Sequence, residues 1–197
     1  MTAEVYLLRH GATEWSAAGR HTGRTDVALT EEGEHQARVA GDALRDLSFG
    51  LVLSSPLRRA LVTAQLAGLP DIDVDPDLQE WDYGAYEGLT TPQIREGRPG
   101  WLLWDDGVPL GTDGSGETVG DVGTRADRVI ARIEPAIEAG ERVALVSHGH
   151  FLRVLAARWL GLAPASGRYF ALDTATLSVL GFEHGERVIQ QWNRPPV

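Results

Sequence analysis

The chain has 197 residues, 43% hydrophobic and 23% charged, which is enough length and apolar content for one sizeable core. It contains no cysteine, which excludes disulfides, thiolate metal ligands and a cysteine nucleophile, and we expect a reducing, cytoplasmic environment. A formal net charge of −10 disfavours nucleic acid and anionic membranes as partners, so an anionic substrate needs locally clustered cations. No linker, signal sequence or membrane span is recognisable, and we expect one domain over residues 1–197.

Three short apolar runs predict strands that are buried on both faces. They are Val5 to Leu8, Leu51 to Leu53 and Val143 to Val146, rich in Val and Leu and without period-two alternation. Each run is followed by apolar residues at helical spacing: Ala37, Ala40, Leu44 and Leu47; Leu57, Ala60, Leu61 and Ala64; Leu152, Leu155, Ala156 and Trp159. The alternation predicts an α/β fold, a three-layer αβα sandwich whose mostly parallel sheet carries helices on both faces.

Helix boundaries can be predicted at several positions. Thr30 is expected to cap the first of these helices, and Ser55 with Pro56 to cap and begin the second. A further helix is expected from about Val119 to Ala139, and Pro135 should kink or end it.

Two later segments carry weaker patterns. Residues 97–120 contain seven glycines and the pair Trp101 and Trp104, and such irregular segments often cover active sites. We expect both indole rings to pack beneath the segment as anchors. The tail predicts two strands around a turn at His184 and Gly185 that close one side of the sheet.

Charged side chains follow the ends of the predicted strands. The first strand ends in "RHG", the second runs into "SSPLRRAL" and the third ends in "SHGH". Because parallel strands share one carboxyl edge, where ligands bind, we expect His10, His148 and one of Arg58 and Arg59 to converge there. Adjacent helical residues point about 100° apart, so only one of the two arginines can face the site. The remaining histidines are expected to be structural or exposed: His21, His35, His150 and His184.

An imidazole flanked by arginines fits phosphoryl chemistry. Guanidinium forks match phosphate oxygens, and a neutral imidazole nitrogen is a competent nucleophile toward phosphorus. A leaving alkoxide also needs an acid, and "LQEWDYGAYEGLT" offers Glu80, Asp82 and Glu87 beside aromatic rings. Spacing alone does not choose among these three carboxyl groups.

The motifs together resemble those of the histidine phosphatase superfamily, the phosphoglycerate mutase-like proteins. They are "LLRHGATEWS", "HTGRTDVALTEEG", "SSPLRRALVTA", "LQEWDYGAYEG", "GSGETV" and "LVSHGHFLRVL", in that order and over nearly the whole chain. The phrases "EWDYGAYEGLTTPQIRE" and "SHGHF" are most similar to small bacterial broad-specificity acid phosphatases.

This resemblance implies roles for nine residues and a reaction without metal or cofactor. His10 corresponds to the phosphorylated nucleophile and Glu80 to the proton donor. The implied phosphate pocket consists of Arg9, Arg59 and His148, and the implied substrate-binding residues are Ser16, Thr22, Gly23 and Tyr83. Ser16 stands where the family often has asparagine, which weakens or replaces one phosphate contact.

Hydrolysis is favoured over the main alternative, a cofactor-dependent phosphoglycerate mutase. Such mutases carry an arginine directly after the catalytic glutamate and a long insertion with further basic residues. Here Trp81 takes that position and the following segment is poor in cations, so we expect a phosphatase acting on a small phosphorylated metabolite. Whether the chain forms a homodimer is left open by the sequence.

Two other classes of function were considered. A metal-dependent hydrolase could use His148 and His150 as ligands together with His10 and a carboxylate, although the arginines would repel a divalent cation. A non-catalytic phosphoprotein-binding module would keep the pocket without turnover.

Overall fold

The computed structural model describes residues 4–196, which contain a six-stranded sheet of order β3-β2-β4-β1-β5-β6. Four strands run parallel, while β5 pairs antiparallel with β1 and β6 antiparallel with β5. The strands are β1 Val5–Arg9, β2 Leu51–Ser54, β3 Asp73–Val74, β4 Val143–Ser147, β5 Leu177–Glu183 and β6 Glu186–Arg194. The three strands predicted from apolar runs are confirmed, each one residue longer than expected.

Helices cover both faces of this sheet. They are α1 Glu14–Ala17, α2 Glu31–Leu44, α3 Arg58–Leu66, α4 Thr91–Gly97, α5 Leu103–Asp106, α6 Val119–Glu138 and α7 Gly149–Trp159. One apolar cluster joins the sheet to α2 and α3, and a larger one joins it to α6 and α7. The predicted three-layer αβα architecture is therefore confirmed. Among the helices within residues 4–196, none is long and apolar enough to cross a membrane.

The central strand β4 explains why its sequence lacks alternation. Val143 lies in register with Val5 on one side and with Leu51 on the other, and all five residues of β4 are buried. A strand covered by helices on both faces is mainly apolar, because neither face meets water. Its one polar residue, Ser147, donates its hydroxyl to the Leu78 carbonyl.

The start of α2 follows the prediction and the start of α3 does not. The Thr30 hydroxyl accepts a hydrogen bond from the Gly33 amide at 3.0 Å, as expected for a helix cap. In contrast, α3 begins at Arg58, two residues later than Pro56 suggests. The Arg58 amide donates instead to the Asp26 carboxylate, 2.7 Å away. Ser55 still accepts from the Leu57 amide at 3.3 Å, but the first amide of the helix itself is bound by an acceptor from a distant loop.

The long helix α6 continues through Pro135 to Glu138. The predicted helix from about Val119 to Ala139 is confirmed, and of the two effects expected of Pro135, a kink or an end, the end does not occur there. Ile133 and Ile137 are buried on either side of the proline, and their packing holds the last turn in place. The Pro135 carbonyl still accepts from the Ala139 amide, so the proline removes only its own donor.

The tail forms the predicted hairpin at one edge of the sheet. Glu183 pairs with Glu186 across a two-residue turn. His184 and Gly185 both have positive φ, 51° and 87°, as turns of this length require when they match the twist of the strands.

Candidate active site

A cavity of about 360 Å³ opens at the carboxyl edge of the parallel strands. This is near the small end of the range of about 300–1,000 Å³ for ligand pockets, so it suits a small molecule. Six of the predicted site residues line it: Arg9, His10, Ser16, Thr22, Glu80 and Tyr83. The other three, Gly23, Arg59 and His148, are buried directly behind this wall.

The hydrogen bonding of His10 determines which of its nitrogens is free. Its Nδ1 lies 2.8 Å from the Gly11 carbonyl oxygen. A carbonyl can only accept, so Nδ1 carries the proton and Nε2 keeps its lone pair. Burial, followed by the charges of Arg59 and Arg9, lowers the pKa of His10 well below its ordinary value. The ring is therefore neutral, which is the state that a nucleophile requires.

His148 is also held as a neutral ring, 5.1 Å from His10 between ring centroids. Its Nδ1 accepts from Arg59 Nε at 3.1 Å, and its Nε2 lies 2.8 Å from the Ser55 hydroxyl oxygen. Because a guanidinium can only donate, the His148 proton must be on Nε2. Burial and the Arg59 charge lower the pKa of His148 well below its ordinary value.

The two neighbouring arginines of α3 point in different directions. Arg59 is fully buried, whereas Arg58 is exposed. Besides contacting His148, the Arg59 guanidinium donates to the carbonyl oxygens of Thr22, Gly23 and Thr25. It thus ties residues 22–25 to α3 and keeps its positive charge, since carbonyl oxygens do not neutralise it.

Arg9 supplies an unused donor at the site. Its Nη1 donates to the Leu172 carbonyl, but within residues 4–196 its buried Nε has no hydrogen-bond partner. A Cβ at Gly149 would lie 3.2 Å from Arg9 Cζ, so a larger residue at the start of α7 would displace the guanidinium by a few tenths of an ångström. A buried donor without an acceptor is costly, and an oxyanion in the cavity would satisfy it.

Glu80 is fixed at the start of α7 by three backbone amides. Its carboxylate accepts from Trp81 and Phe151 at 2.9 Å and from His150 at 3.0 Å. The first N–H groups of a helix have no carbonyl partner within the helix, so the Glu80 oxygens provide the acceptors for two of them. The side chain is therefore held in one orientation at the cavity wall.

The other two candidate carboxylates are engaged elsewhere. Asp82 pairs with Arg24 at 2.6 Å and accepts from the Gly84 amide. Glu87 accepts from the amides of Gly23 and Thr25 and so holds the same loop that Arg59 holds. Of the three carboxylates that the sequence offered, Glu80 is the one that lines the cavity.

Tyr83 and His150 form a buried pair, with the phenol oxygen 2.6 Å from His150 Nδ1. Burial raises the pKa of Tyr83 well above 10 and lowers the pKa of His150 well below 6.5. The phenol therefore donates to a neutral imidazole. The hydroxyls of Ser16 and Thr22 donate to the carbonyls of Thr13 and Arg20.

Several cavity residues were not identified from the sequence. His21 and His150 were expected to be structural or exposed, but both line the cavity. Trp101 packs beneath its segment as expected, with 2% exposure, and together with Trp104 it also lines the cavity. Three further arginines line it as well: Arg20, Arg95 and Arg153. The segment after Glu80 was expected to be poor in cations, but Arg95 from that segment and two arginines from elsewhere line the cavity.

The histidine pair considered as metal ligands does not converge on a common point. His148 contacts Arg59 and Ser55, while His150 contacts Tyr83. Within residues 4–196, no three His, Cys, Asp or Glu side chains are grouped so that they could hold a metal ion.

Comparison with known proteins identifies the family. Residues 5–195 match the Histidine phosphatase superfamily (branch 1). The chain belongs to the histidine phosphatase superfamily. The resemblance inferred from the sequence motifs is therefore confirmed, and the cavity at the strand ends is the candidate active site of a histidine phosphatase superfamily member.

Relatives within the histidine phosphatase superfamily cover nearly the whole chain. An acid phosphatase of Mycobacterium tuberculosis is 50% identical over 185 residues, which are 93% of this chain and 88% of the relative. A sequence named "Probable phosphoglycerate mutase GpmB" from Salmonella choleraesuis is 34% identical, over 96% of this chain and 89% of the relative. The solved structure of open reading frame Rv3214 from Mycobacterium tuberculosis has a TM-score of 0.92 at 46% identity and covers 100% of both chains.

Acidification should destabilise this histidine phosphatase superfamily member. The pKa values of His10, His148 and His150 lie well below 6.5, so these rings stay neutral in the folded chain while the unfolded chain binds protons. The free energy of unfolding should therefore fall below about pH 6.5, by up to about 1.4 kcal/mol per pH unit for each histidine.

Urea unfolding at several pH values between about 7.5 and about 5.5 measures the change in the free energy of unfolding per pH unit. This pH range lies above the range in which most carboxylates titrate. His148→Gln should make the slope shallower, whereas His35→Gln, at an exposed position on α2, should leave it unchanged. Equal slopes in all three proteins would contradict the assignment of His148 as a buried neutral ring.

Proposed function

We propose that the chain is a phosphatase that hydrolyses small phosphate monoesters through a phosphohistidine on His10, with Glu80 as proton donor. The observation that carries the proposal is the neutral His10 ring, whose Nδ1 is committed to the Gly11 carbonyl and whose Nε2 keeps its lone pair. Arg9, whose Nε has no hydrogen-bond partner among residues 4–196, and Glu80 line the same cavity. The acid phosphatase that is 50% identical supports hydrolysis.

The first step transfers the phosphoryl group to the enzyme. The lone pair on His10 Nε2 forms a bond to phosphorus, the ester P–O bond breaks, and the departing alkoxide takes a proton from Glu80. Arg9 and the positive charge of Arg59 stabilise the charge on the equatorial oxygens throughout. His148 adds a hydrogen bond when its Nε2 proton turns from the Ser55 hydroxyl to the phosphate.

The second step returns the enzyme to its starting state. Water attacks phosphorus and gives its proton to the Glu80 carboxylate, the P–N bond breaks, and inorganic phosphate leaves. Glu80 is then protonated and His10 neutral, as the next turnover requires. Both steps use one carboxyl group, which the Trp81 amide and two amides at the start of α7 hold in place.

A panel of phosphate esters that includes 3-phosphoglycerate tests the proposal. Release of inorganic phosphate without isomerised product supports a phosphatase, whereas isomerised 3-phosphoglycerate would support the mutase. Trp81 bears on this choice, because it is fully buried, donates from Nε1 to the Glu117 carbonyl and supplies no cation after Glu80. Loss of activity in chelator would support a metal-dependent hydrolase, and absence of turnover on every ester a binding module.

Arg59→Ala should lower kcat/KM by about 10²–10³-fold, comparable to the loss of a preorganised oxyanion donor. Arg58→Ala is the matched control and should remain near the parent value, because Arg58 is exposed. Since Arg59 also holds residues 22–25, the melting temperature of each variant should be measured together with its kinetics. An unchanged kcat/KM in Arg59→Ala together with a reduced kcat/KM in Arg58→Ala would show that Arg58, and not Arg59, faces the site.

The size of the cavity supports a small phosphorylated metabolite as substrate. The cytoplasmic location and the single domain over residues 1–197 stay predictions, and whether the chain forms a homodimer stays open.

A further inference from the structure

The arginines without a carboxylate partner are concentrated at the cavity. All 18 basic residues are arginine. Eleven form an ion pair with a carboxylate. The other seven have no such partner within residues 4–196: Arg9, Arg20, Arg58, Arg59, Arg95, Arg153 and Arg194. Five of these seven line the cavity or lie directly behind its wall, although the protein as a whole is strongly acidic.

Backbone carbonyls orient two of these arginines without neutralising them. Arg95 donates from Nε to the Trp101 carbonyl at 3.0 Å, which leaves both of its terminal nitrogens available. Arg153 donates from Nε and Nη2 to the carbonyls of Gly167 and Arg168 and lies 4.8 Å from the ring centroid of Trp104. Each guanidinium is therefore preorganised, and its positive charge is unbalanced.

Arg20 adds a third unbalanced charge at the cavity. It contacts the ring of Trp15 at 5.7 Å and makes no side-chain hydrogen bond within residues 4–196. Of the residues that line the cavity, four are arginines and one, Glu80, is a carboxylate. Clustered like charges repel one another, and an anionic ligand removes that repulsion.

A single phosphate does not account for this set. The proposed phosphoryl site beside His10 uses Arg9 and Arg59, which leaves Arg20, Arg95 and Arg153 without an anion. Guanidinium forks bind carboxylates and phosphates in the same bidentate manner. A cavity of about 360 Å³ has room for one small molecule that carries both anionic groups.

We propose that the cavity selects phosphate monoesters that carry a second anionic group, a carboxylate or a phosphate, and that Arg20, Arg95 and Arg153 bind that group. The identity of the first anion as the scissile phosphate rests on the proposed function. The second subsite does not require turnover and can be measured separately.

Matched pairs of esters test the subsite. 3-Phosphoglycerate and glycerol 3-phosphate differ mainly in a carboxylate, and glucose 1,6-bisphosphate and glucose 6-phosphate differ in a phosphate. At least one doubly anionic member should have a kcat/KM about 10- to 100-fold above that of its partner, the range expected for one charge-assisted hydrogen bond. Arg95→Gln and Arg153→Gln should each reduce that preference about tenfold or more.

The control is Arg194→Gln, which removes another unpaired arginine, at an exposed position of β6. It should leave the preference unchanged, which separates the subsite from a general effect of net charge. The proposal would be overturned if the ratio of kcat/KM between the two esters were near one in both pairs. It would also be overturned if this ratio were unchanged in both Arg95→Gln and Arg153→Gln.

Calorimetric affinities of the same esters for the His10→Ala protein provide a readout without catalysis. Tighter binding of the doubly anionic esters supports the subsite, and equal binding overturns it. If the parent protein releases no phosphate from any ester, the proposed phosphatase function fails, and the affinity ratios still decide the subsite.

Discussion

Replacement of His10 by alanine should abolish formation of a phosphoenzyme and lower turnover by at least about 10⁴-fold, the scale seen when a catalytic nucleophile is removed. The reason is that His10 Nε2 carries the lone pair that attacks phosphorus. Arg9, Arg59 and His148 can stabilise charge but cannot replace this nucleophile. Rapid quenching with a radiolabelled ester should trap an acid-labile, alkali-stable phosphohistidine in the parent protein and none in the variant.

The matched control is His35→Ala, which removes an exposed histidine of α2 and should retain both label and turnover. Circular dichroism and melting temperature should establish that the His10→Ala protein is folded. Near-normal turnover in folded His10→Ala, or label retained at another residue, would remove His10 from the role of nucleophile.

Glu80→Gln should have an effect that depends on the leaving group. An alkyl phosphate releases a strongly basic alkoxide, so loss of the proton donor should slow phosphoryl transfer by about 10²–10⁴-fold. p-Nitrophenyl phosphate releases a stable anion, so the same step should slow much less. Burst kinetics separates this step from hydrolysis of the phosphohistidine, in which Glu80 is still needed as a base.

The Glu80→Gln experiment needs a control for loss of structure, because Glu80 also accepts hydrogen bonds from backbone amides, two of them at the start of α7. Glutamine can accept from only some of the three amides that Glu80 serves, so part of any loss comes from disturbed orientation. Glu87→Gln weakens two amide contacts of the 22–25 loop and should show no dependence on the leaving group. Equal losses for both esters in the first step of Glu80→Gln would return Asp82 and Glu87 to consideration as the acid.

The main strands and helices could be predicted because each depends on local pattern. The apolar run Val143 to Val146 is buried on both faces wherever it lies in a parallel sheet, and Thr30 caps α2 through an amide three residues away. The start of α3 was misplaced because its first amide bonds to Asp26, a contact that only the folded chain brings about. The continuation of α6 past Pro135 likewise depends on tertiary packing.

The same distinction separates the predicted site residues from those that were missed. His10 and His148 follow strand ends, so the topology of a parallel sheet brings them together. Arg20, Arg95 and Arg153 follow α1 or lie within α4 and α7, and no periodicity in the sequence indicates that they face one cavity. His150 could have been identified, since it lies two residues after His148 at the start of the helix whose amides bind Glu80.

The position of β4 between β2 and β1 has a consequence for how the protein folds. Leu51 and Val5 both pair with Val143, although more than half of the chain precedes that residue. During synthesis, β1 and β2 must therefore wait with unpaired edges until β4 emerges, and exposed edges of this kind favour aggregation. Pairings so distant in sequence also slow folding, because the long loop must close before any contact forms. Since His10 and His148 directly follow β1 and β4, the anion pocket is assembled only in this late step. Recovery of anion binding during refolding therefore shows that the centre of the sheet has formed.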